Sequence, residues 1–409
     1  MKRLLLSMAA VPLMVGGLSV SASANDGVNI LNDVKVKGQI RPRYEYANVK
    51  SNGKDKANAF TARTHLVVSG GLLEVDGLTA TIGLQGVNNF GYTDYAPANT
   101  KGNVAYDKIL DPQGAMLSEA SVDYTMGKTA LHVGRSQVNL DNQRFIGTVG
   151  WRQMERSYDT VYAANSSVEN LSLLAAYVYG FAGVSGTTTT DTNSVLLHAN
   201  YKVMDELSVT GYGYLLSSIH DTYGLALTGK VNAGAKLSYR AEYAVQKDAS
   251  LQTGSAAKPK ADANYLNLDL GANISGILAG ANYEVLSGTN GTDGKTAFTT
   301  PLATGHKFNG WADKFLNTPA GGLQDANIRV GYKAKGFGKV LAVYHSFSAA
   351  EKMGGEDDLG TEINAVYVNA IPGFKNLKGL AKFASYSKGK VAGYTNDVTK
   401  AWLQLDYKF

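Results

Sequence analysis

Cysteine is absent from the 409 residues, and only 8 prolines and 3 tryptophans occur. An exported chain of this kind has no disulfide framework, so its stability must come from strand pairing and burial. Beyond the first 24 residues no run of 18 apolar residues occurs, which excludes a membrane-spanning helix there. A large excess of one charge is missing too: 39 Lys and Arg stand against 34 Asp and Glu, too even a balance to imply a nucleic-acid partner. The six histidines (His65, His132, His198, His220, His306 and His345) are scattered without metal-ligand spacing, so no metal or cofactor is expected. His345-Ser346 and His220-Asp221 resemble fragments of a hydrolase site, but neighbours on a strand point to opposite faces. No catalytic dyad, and no enzyme, is expected.

What is present is turn-forming and amphipathic. The 46 glycines and 24 tyrosines, with 44% hydrophobic residues and no long apolar blocks, describe a β-rich chain. Lys2 and Arg3, the apolar run "LLLSMAAVPLMVGG" and Ala22-Ser23-Ala24 have the order of a secretory signal peptide, with cleavage expected after Ala24. Residues 25–409 then form one domain. Eighteen stretches of about ten residues alternate with period two, from 34–46 to 397–409. The connections alternate short and long, as in an antiparallel transmembrane β-barrel with short periplasmic turns and long extracellular loops. In hydrocarbon every backbone donor and acceptor needs an internal partner, which strands supply only when the sheet closes. The fold expected is therefore an all-β outer-membrane barrel of eighteen strands.

Both rims of such a barrel carry aromatics. Tyr44 and Tyr46 are placed at the outer girdle, and Tyr407 and Phe409 at the periplasmic one. The final strand "AWLQLDYKF", ending in Phe409, resembles the assembly signal of bacterial outer-membrane barrels. Barrel-assembly machinery is an expected partner, beside membrane lipid and lipopolysaccharide.

Two loops stand apart. The segment 287–325 is far longer than an ordinary structureless connection. Within it "NGWADKFLN" spaces Trp311 and Phe315 as a short helix would, so a structured insert that narrows the pore or caps the rim is expected. The segment 140–157, "LDNQRFIGTVGWRQMERS", carries Arg144, Trp151, Arg152 and Arg156. Together "DNQRFIGTVGWRQ" and "GHKFNGWADKFLNTPAGGLQD" resemble the alginate-export family of Gram-negative outer-membrane proteins. That resemblance implies an eighteen-stranded barrel with an arginine-rich lumen for an anionic polysaccharide, and marks Arg144, Trp151, Arg152, Trp311, Asp313 and Lys314 as loop candidates.

With the apolar face toward lipid, thirteen cations against eight acids point inward. Lys37, Arg41, Arg43, Arg63, Arg240, Arg329 and Lys333 are the candidate pore-lining, anion-binding residues among them. Pairing of the first two strands sets position 42 opposite 63, gathering Arg41, Arg43 and Arg63 at one level. Like charges across strands destabilise a sheet, so this cluster needs acids from the far wall, water or an anionic ligand. Pro42, lacking a ladder donor, marks a break or bulge. The expected activity is passive diffusion of small hydrophilic solutes with mild anion preference, acidic oligosaccharides among them. Dedicated polymer export and an adhesin or structural barrel are the alternatives, and oligomerisation stays open.

Overall fold

The structure is a computed structural model that describes residues 30–97, 103–186, 189–254, 259–289 and 294–409. The expected signal peptide lies outside the described residues. Eighteen strands form one closed antiparallel sheet. In chain order they are β1 (Leu31–Val49), β2 (Ala57–Leu72), β3 (Leu78–Asn88), β4 (Gly114–Met126), β5 (Thr129–Ser136) and β6 (Ser157–Asn165). There follow β7 (Leu171–Ala182), β8 (Thr189–Met204), β9 (Leu207–Leu216), β10 (His220–Asn232), β11 (Lys236–Lys247) and β12 (Lys260–Ile274). The last six are β13 (Ile277–Ser287), β14 (Gly322–Ala334), β15 (Gly338–Met353), β16 (Glu356–Ala370), β17 (Leu377–Ser387) and β18 (Val398–Lys408). A two-residue pairing of Lys295–Thr296 with Lys260–Ala261 lies outside this cylinder.

Each strand pairs with its sequence neighbours, and β18 closes on β1 through nine residue pairs from Gln39↔Lys408 to Val49↔Val398. Closure leaves no edge, which lets the backbone of an isolated sheet satisfy itself. All eighteen alternating stretches are strands, and the short and long connections segregate to opposite rims. At Pro42 the ladder to β18 lapses between Ile40↔Tyr407 and Arg43↔Gln404, yet the register is unchanged on both sides of the gap. Proline thus breaks the ladder without bulging it. The irregularity of β1 lies elsewhere, between Asn32 and Lys35.

The outward face is a continuous apolar band that includes Ile40, Leu66, Ile82, Val133, Leu225, Leu270, Ile328 and Leu403, all exposed. Outward tyrosines sit near both rims: Tyr44, Tyr223, Tyr243 and Tyr283 toward the long loops, Tyr201, Tyr332, Tyr367 and Tyr407 toward the turns.

The principal core is inside the cylinder. Leu174, Leu196, Tyr158, Tyr212, Tyr214 and Tyr265 point inward from the wall and pack with Leu140, Ile146 and Phe298 from the two long loops. Phe145 meets the rings of Tyr212, Tyr265 and Phe298 at centroid distances of 5.3, 5.3 and 6.0 Å. The second long loop covers residues 288–321 only, because β14 begins at Gly322. Leu323 and Asp325 therefore belong to the wall, not to a loop reaching 325.

Candidate functional site: the barrel lumen

Residues 137–156 between β5 and β6, and the described residues 294–321 between β13 and β14, pack against the inner face of the wall, so this part of the longer insert folds inward. Register sets Arg41 directly opposite Arg63, with Pro42 facing Ala62, one position from the expected pairing. This places three guanidinium groups at one level, as the sequence requires. What relieves their repulsion is the first inward loop. The side chain of Arg41 donates to Gln153 Oε1 at 3.0 Å, to the carbonyl of Gly150 at 2.9 Å and to the carbonyl of Arg152. Arg43 donates to the carbonyl of Trp151 at 2.5 Å and to Gln404, and lies 3.4 Å from Asp111. Arg63 pairs with Glu155. All three are buried. The cluster's need for acids, water or an anionic ligand is met by Asp111, Glu155 and loop carbonyls, which take most of the guanidinium donors and leave the three little to offer a passing anion.

The loop arginines answer in the opposite direction. Arg152 donates to both oxygens of Glu45 on β1, at 3.2 and 3.0 Å, and to Asp313 of the second loop at 2.8 Å. Burial alone would depress its pKa, but Glu45, Asp111 and Asp313 more than offset that and raise it. Arg144 binds Glu284 of β13 through two bonds of 2.9 and 3.0 Å, and donates to Asn309 at 2.9 Å. Glu155 is held below the usual carboxylate range by Arg63 and Arg41, against the opposing effect of burial. Planar guanidinium forks suit this paired geometry.

The second loop is not helical where "NGWADKFLN" suggests a helix. Asn309, Gly310 and Asp313 take positive φ values of 54°, 86° and 61°, which no α-helix tolerates. The four-residue spacing of Trp311 and Phe315 reflects a winding loop whose turns bring both rings against the core. Glu362 of β16 fixes that path by accepting the backbone N–H groups of Trp311 and Ala312 at 2.5 and 2.9 Å. Gly310 meets this carboxylate so closely that a Cβ would collide with it. Lys314, the outermost loop candidate, donates to the carbonyl of Gly393 at 3.1 Å and lies over the Tyr394 ring.

Between the loops and β17–β18 lies a knot of all three tryptophans. Lys382 Nζ is 4.1, 4.0 and 5.4 Å from the ring centroids of Trp151, Trp311 and Trp402. Such cation–π contacts are strongest where water is excluded. His306 stacks on Trp151 at 4.6 Å, and its two nitrogens meet Asp313 at 2.6 Å and Lys382 at 2.7 Å. An ammonium offers no acceptor, so His306 Nε2 accepts from Lys382 while Nδ1–H donates to Asp313. Burial accordingly holds the His306 pKa well below its ordinary value. Asp313 stays well below the usual range: burial opposes this, and His306, Lys400 and Arg152 outweigh it.

A consequence in acid follows. In the unfolded chain His306 takes up a proton below about pH 6.5, whereas the folded site resists it. Its contribution to stability is therefore complete above that pH and lost as pH falls, by at most about 1.4 kcal/mol per pH unit. Thermal unfolding in detergent between pH 7.5 and 5 should show a smaller acid loss for His306→Asn than for the parent. Equal losses would remove His306 from this role.

Below the loops, toward the turn rim, the wall stays open. A cavity of about 430 Å³ lies against β11–β15, with Arg240, Arg329, Trp311 and Phe308 in its lining. Five asparagines line it as well: Asn267, Asn282 and Asn327 from adjacent strands, and Asn142 and Asn309 from the two loops. Arg329 is bound to Asp269 by two bonds of 2.7 and 2.8 Å, and Arg240 to Glu242 at 2.8 Å. At the turn end itself Lys35, Lys37, Lys333, Lys339, Lys378 and Lys408 point inward, and none forms a salt bridge among the described residues. Of the seven wall candidates, Lys37 and Lys333 thus stand in open lumen, Arg240 and Arg329 line it while paired, and Arg41, Arg43 and Arg63 lie behind the loop. Sequence reasoning missed Asp111, Gln153 and Glu155, whose partners lie far along the chain, and His306, which joins nearby Asp313 to the distant Lys382. It also missed the asparagines, although Asn267, Asn282 and Asn327 fall on inward positions of their strands.

The fold is similar to solved structures of Acinetobacter baumannii OccAB2 and Pseudomonas aeruginosa OccK2 (OpdF) and OccK8 (OprE). OccAB2 is 15% identical with a TM-score of 0.71, over 94% of this chain and 100% of that one. OccK2 is 13% identical with a TM-score of 0.71, over 93% and 98%. OccK8 is 17% identical with a TM-score of 0.70, over 93% and 99%. No family model matches the sequence, and no curated protein does. The likeness extends to the whole barrel, while the narrower resemblance to the alginate-export family finds no support in these comparisons.

Proposed function

We propose that this protein is an outer-membrane channel for passive diffusion of small hydrophilic solutes, with a mild preference for anions. The observation that carries the reading is a closed barrel with an apolar outer band and a polar lumen partly filled by its own loops. The structures whose fold it shares are outer-membrane porins, and a barrel of this kind has its turn rim at the periplasm. The anion preference is assigned to the unpaired lysines of that rim, Lys236 among them, not to the arginines. A ring of ammonium groups around a water-filled mouth raises the local anion concentration through its field.

Reversal potentials across planar bilayers under a KCl gradient test this. Anion selectivity is expected, strongest at low salt because the Debye length shrinks from about 30 Å at 0.01 M to about 3 Å at 1 M. Changing Lys35, Lys37, Lys333 and Lys378 together to Gln should bring the potential close to zero with conductance retained. Cation selectivity of the parent, or no conductance at all, would sink the reading. Export of an alginate-like polymer keeps no observation of its own. Of the six residues that carry that resemblance, Arg144, Trp151, Arg152, Trp311 and Asp313 hold the loops in place, and Lys314 bonds the Gly393 carbonyl.

A further inference from the structure

We infer that the cavity against β11–β15 is a subsite for a neutral saccharide, a hexose or short oligosaccharide. The inference rests on the channel reading above and names the solute class of its inner lumen. Three observations converge on it.

The first is charge compensation. Arg329 faces Asp269 through two bonds, and Asp325 contacts His345 at 2.9 Å. Glu284 is taken by Arg144 from behind the lining. Lys307 donates to the carbonyl of Asn142 at 2.7 Å. An ionic solute entering here meets carboxylates and guanidinium groups that are already paired, and displacing such pairs costs more than it returns; Lys307, bonded to a neutral carbonyl, is the lining cation with no ion pair among the described residues. A carboxylate therefore gains little in this cavity, whatever the lysines do at the rim.

The second is the row of amides. Register sets Asn282 of β13 beside Asn327 of β14, and Asp269 and His345 flank them on β12 and β15, so one level of the wall offers polar groups across four strands. Each carboxamide presents both donors and acceptors, as a hydroxyl does. A solute with several adjacent hydroxyls can exchange its water for this row bond by bond. A single charge cannot.

The third is the aromatic rim. Trp311 and Phe308 line the same space and are only partly buried, so apolar ring surface adjoins the amide row. A pyranose is polar at its edge and carries C–H groups on its faces, a combination that fits amides beside aromatic rings. The volume, about 430 Å³, falls within the roughly 300–1,000 Å³ of small-molecule pockets.

The test uses the full protein in planar bilayers at 1 M KCl, where screening to about 3 Å removes the influence of the rim lysines. Maltose should block the ionic current at a concentration about tenfold lower than a diuronate of the same size, a ratio that needs no variant to measure. Asn282→Leu and Asn327→Leu should each raise the half-blocking maltose concentration about tenfold while leaving the KCl conductance unchanged. Equal or stronger block by the diuronate, or maltose block that survives both substitutions, would overturn the saccharide assignment and leave the channel standing. A parent protein that carries no current would overturn the channel reading and the subsite with it.

Discussion

Arg152→Ala is expected to give the largest rise in single-channel conductance of any single substitution in the lumen. The guanidinium ties the first inward loop to Glu45 on β1 and to Asp313 in the second loop, at 2.8 to 3.2 Å and out of contact with solvent. Removing one partner from a buried ionic network costs about 3–5 kcal/mol, because the carboxylates left behind are desolvated and unpaired. Here Glu45 loses its closest partner and keeps only Arg43 at 4.0 Å, while Asp111 retains Arg43 and Asp313 retains His306 and Lys400, so the loss centres on Glu45. The wall has its own ladder and should survive. The loops do not, so the loss falls on them and the lumen widens. Conductance traces of the variant should show a larger and noisier open level, and limited proteolysis should cut within residues 137–156. Lys314→Ala is the natural comparison, because its hydrogen bond to Gly393 sits where water competes, and pairs of that kind contribute about 1 kcal/mol or less. Similar traces for the two variants would show that Arg152 does not hold the loops.

Trp402→Ala should produce the largest loss of stability. The side chain is 1% exposed, meets Trp151 edge-on at 5.6 Å and His306 at 5.5 Å, and adjoins Lys382. Truncating a buried tryptophan typically costs about 3–5 kcal/mol, part from lost transfer energy and part from the cavity left behind. The void opens where wall and both loops meet, so Trp151 and Trp311 gain access to water. A lower thermal midpoint together with a red shift in the remaining tryptophan emission is the expected pair of signals. Trp402→Phe should keep most of the midpoint, since an aromatic ring still fills the space. A midpoint unchanged by the alanine substitution would contradict the packing described for Trp402.

The wall was legible in the sequence because alternation over ten or more residues, repeated many times, is hard to produce by chance. On β1, from Lys35 in open lumen to Glu45 beneath the first loop, the rule of apolar outside and polar inside holds. It fails where the loops cover the wall with apolar side chains. Leu174, Ala176 and Val178 on β7 point inward and are buried, while Leu173, Tyr177 and Tyr179 point outward and are exposed. Both faces are then apolar, and alternation no longer says which is which. The start of β14 was hidden for the same reason: Leu323 faces inward beneath the second loop and Gln324 faces out. The arginines were placed on the correct side, but not with their partners. Arg43 finds Asp111 68 positions away and Arg152 finds Asp313 161 positions away, and nothing local encodes either pairing. Trp311 and Phe315 mimic a helix over too few residues for spacing to outweigh the positive φ of Asn309, Gly310 and Asp313.

The first inward loop has one more consequence, a mechanical one. It leaves the wall at β5 and β6, is bound to β1 and β2 through Arg41, Arg43, Arg63 and Glu45, and to β13 through Arg144 and Glu284. Those three attachments are spread around the circumference, so the loop acts as a tripod of struts inside a cylinder. An empty tube of eighteen strands is stiff along its strands but soft toward flattening, because sideways squeezing only re-angles neighbouring strands. With the tripod in place, flattening must stretch or compress charged pairs that have no water to replace them. The loop that narrows the passage is also the brace that keeps its cross-section round.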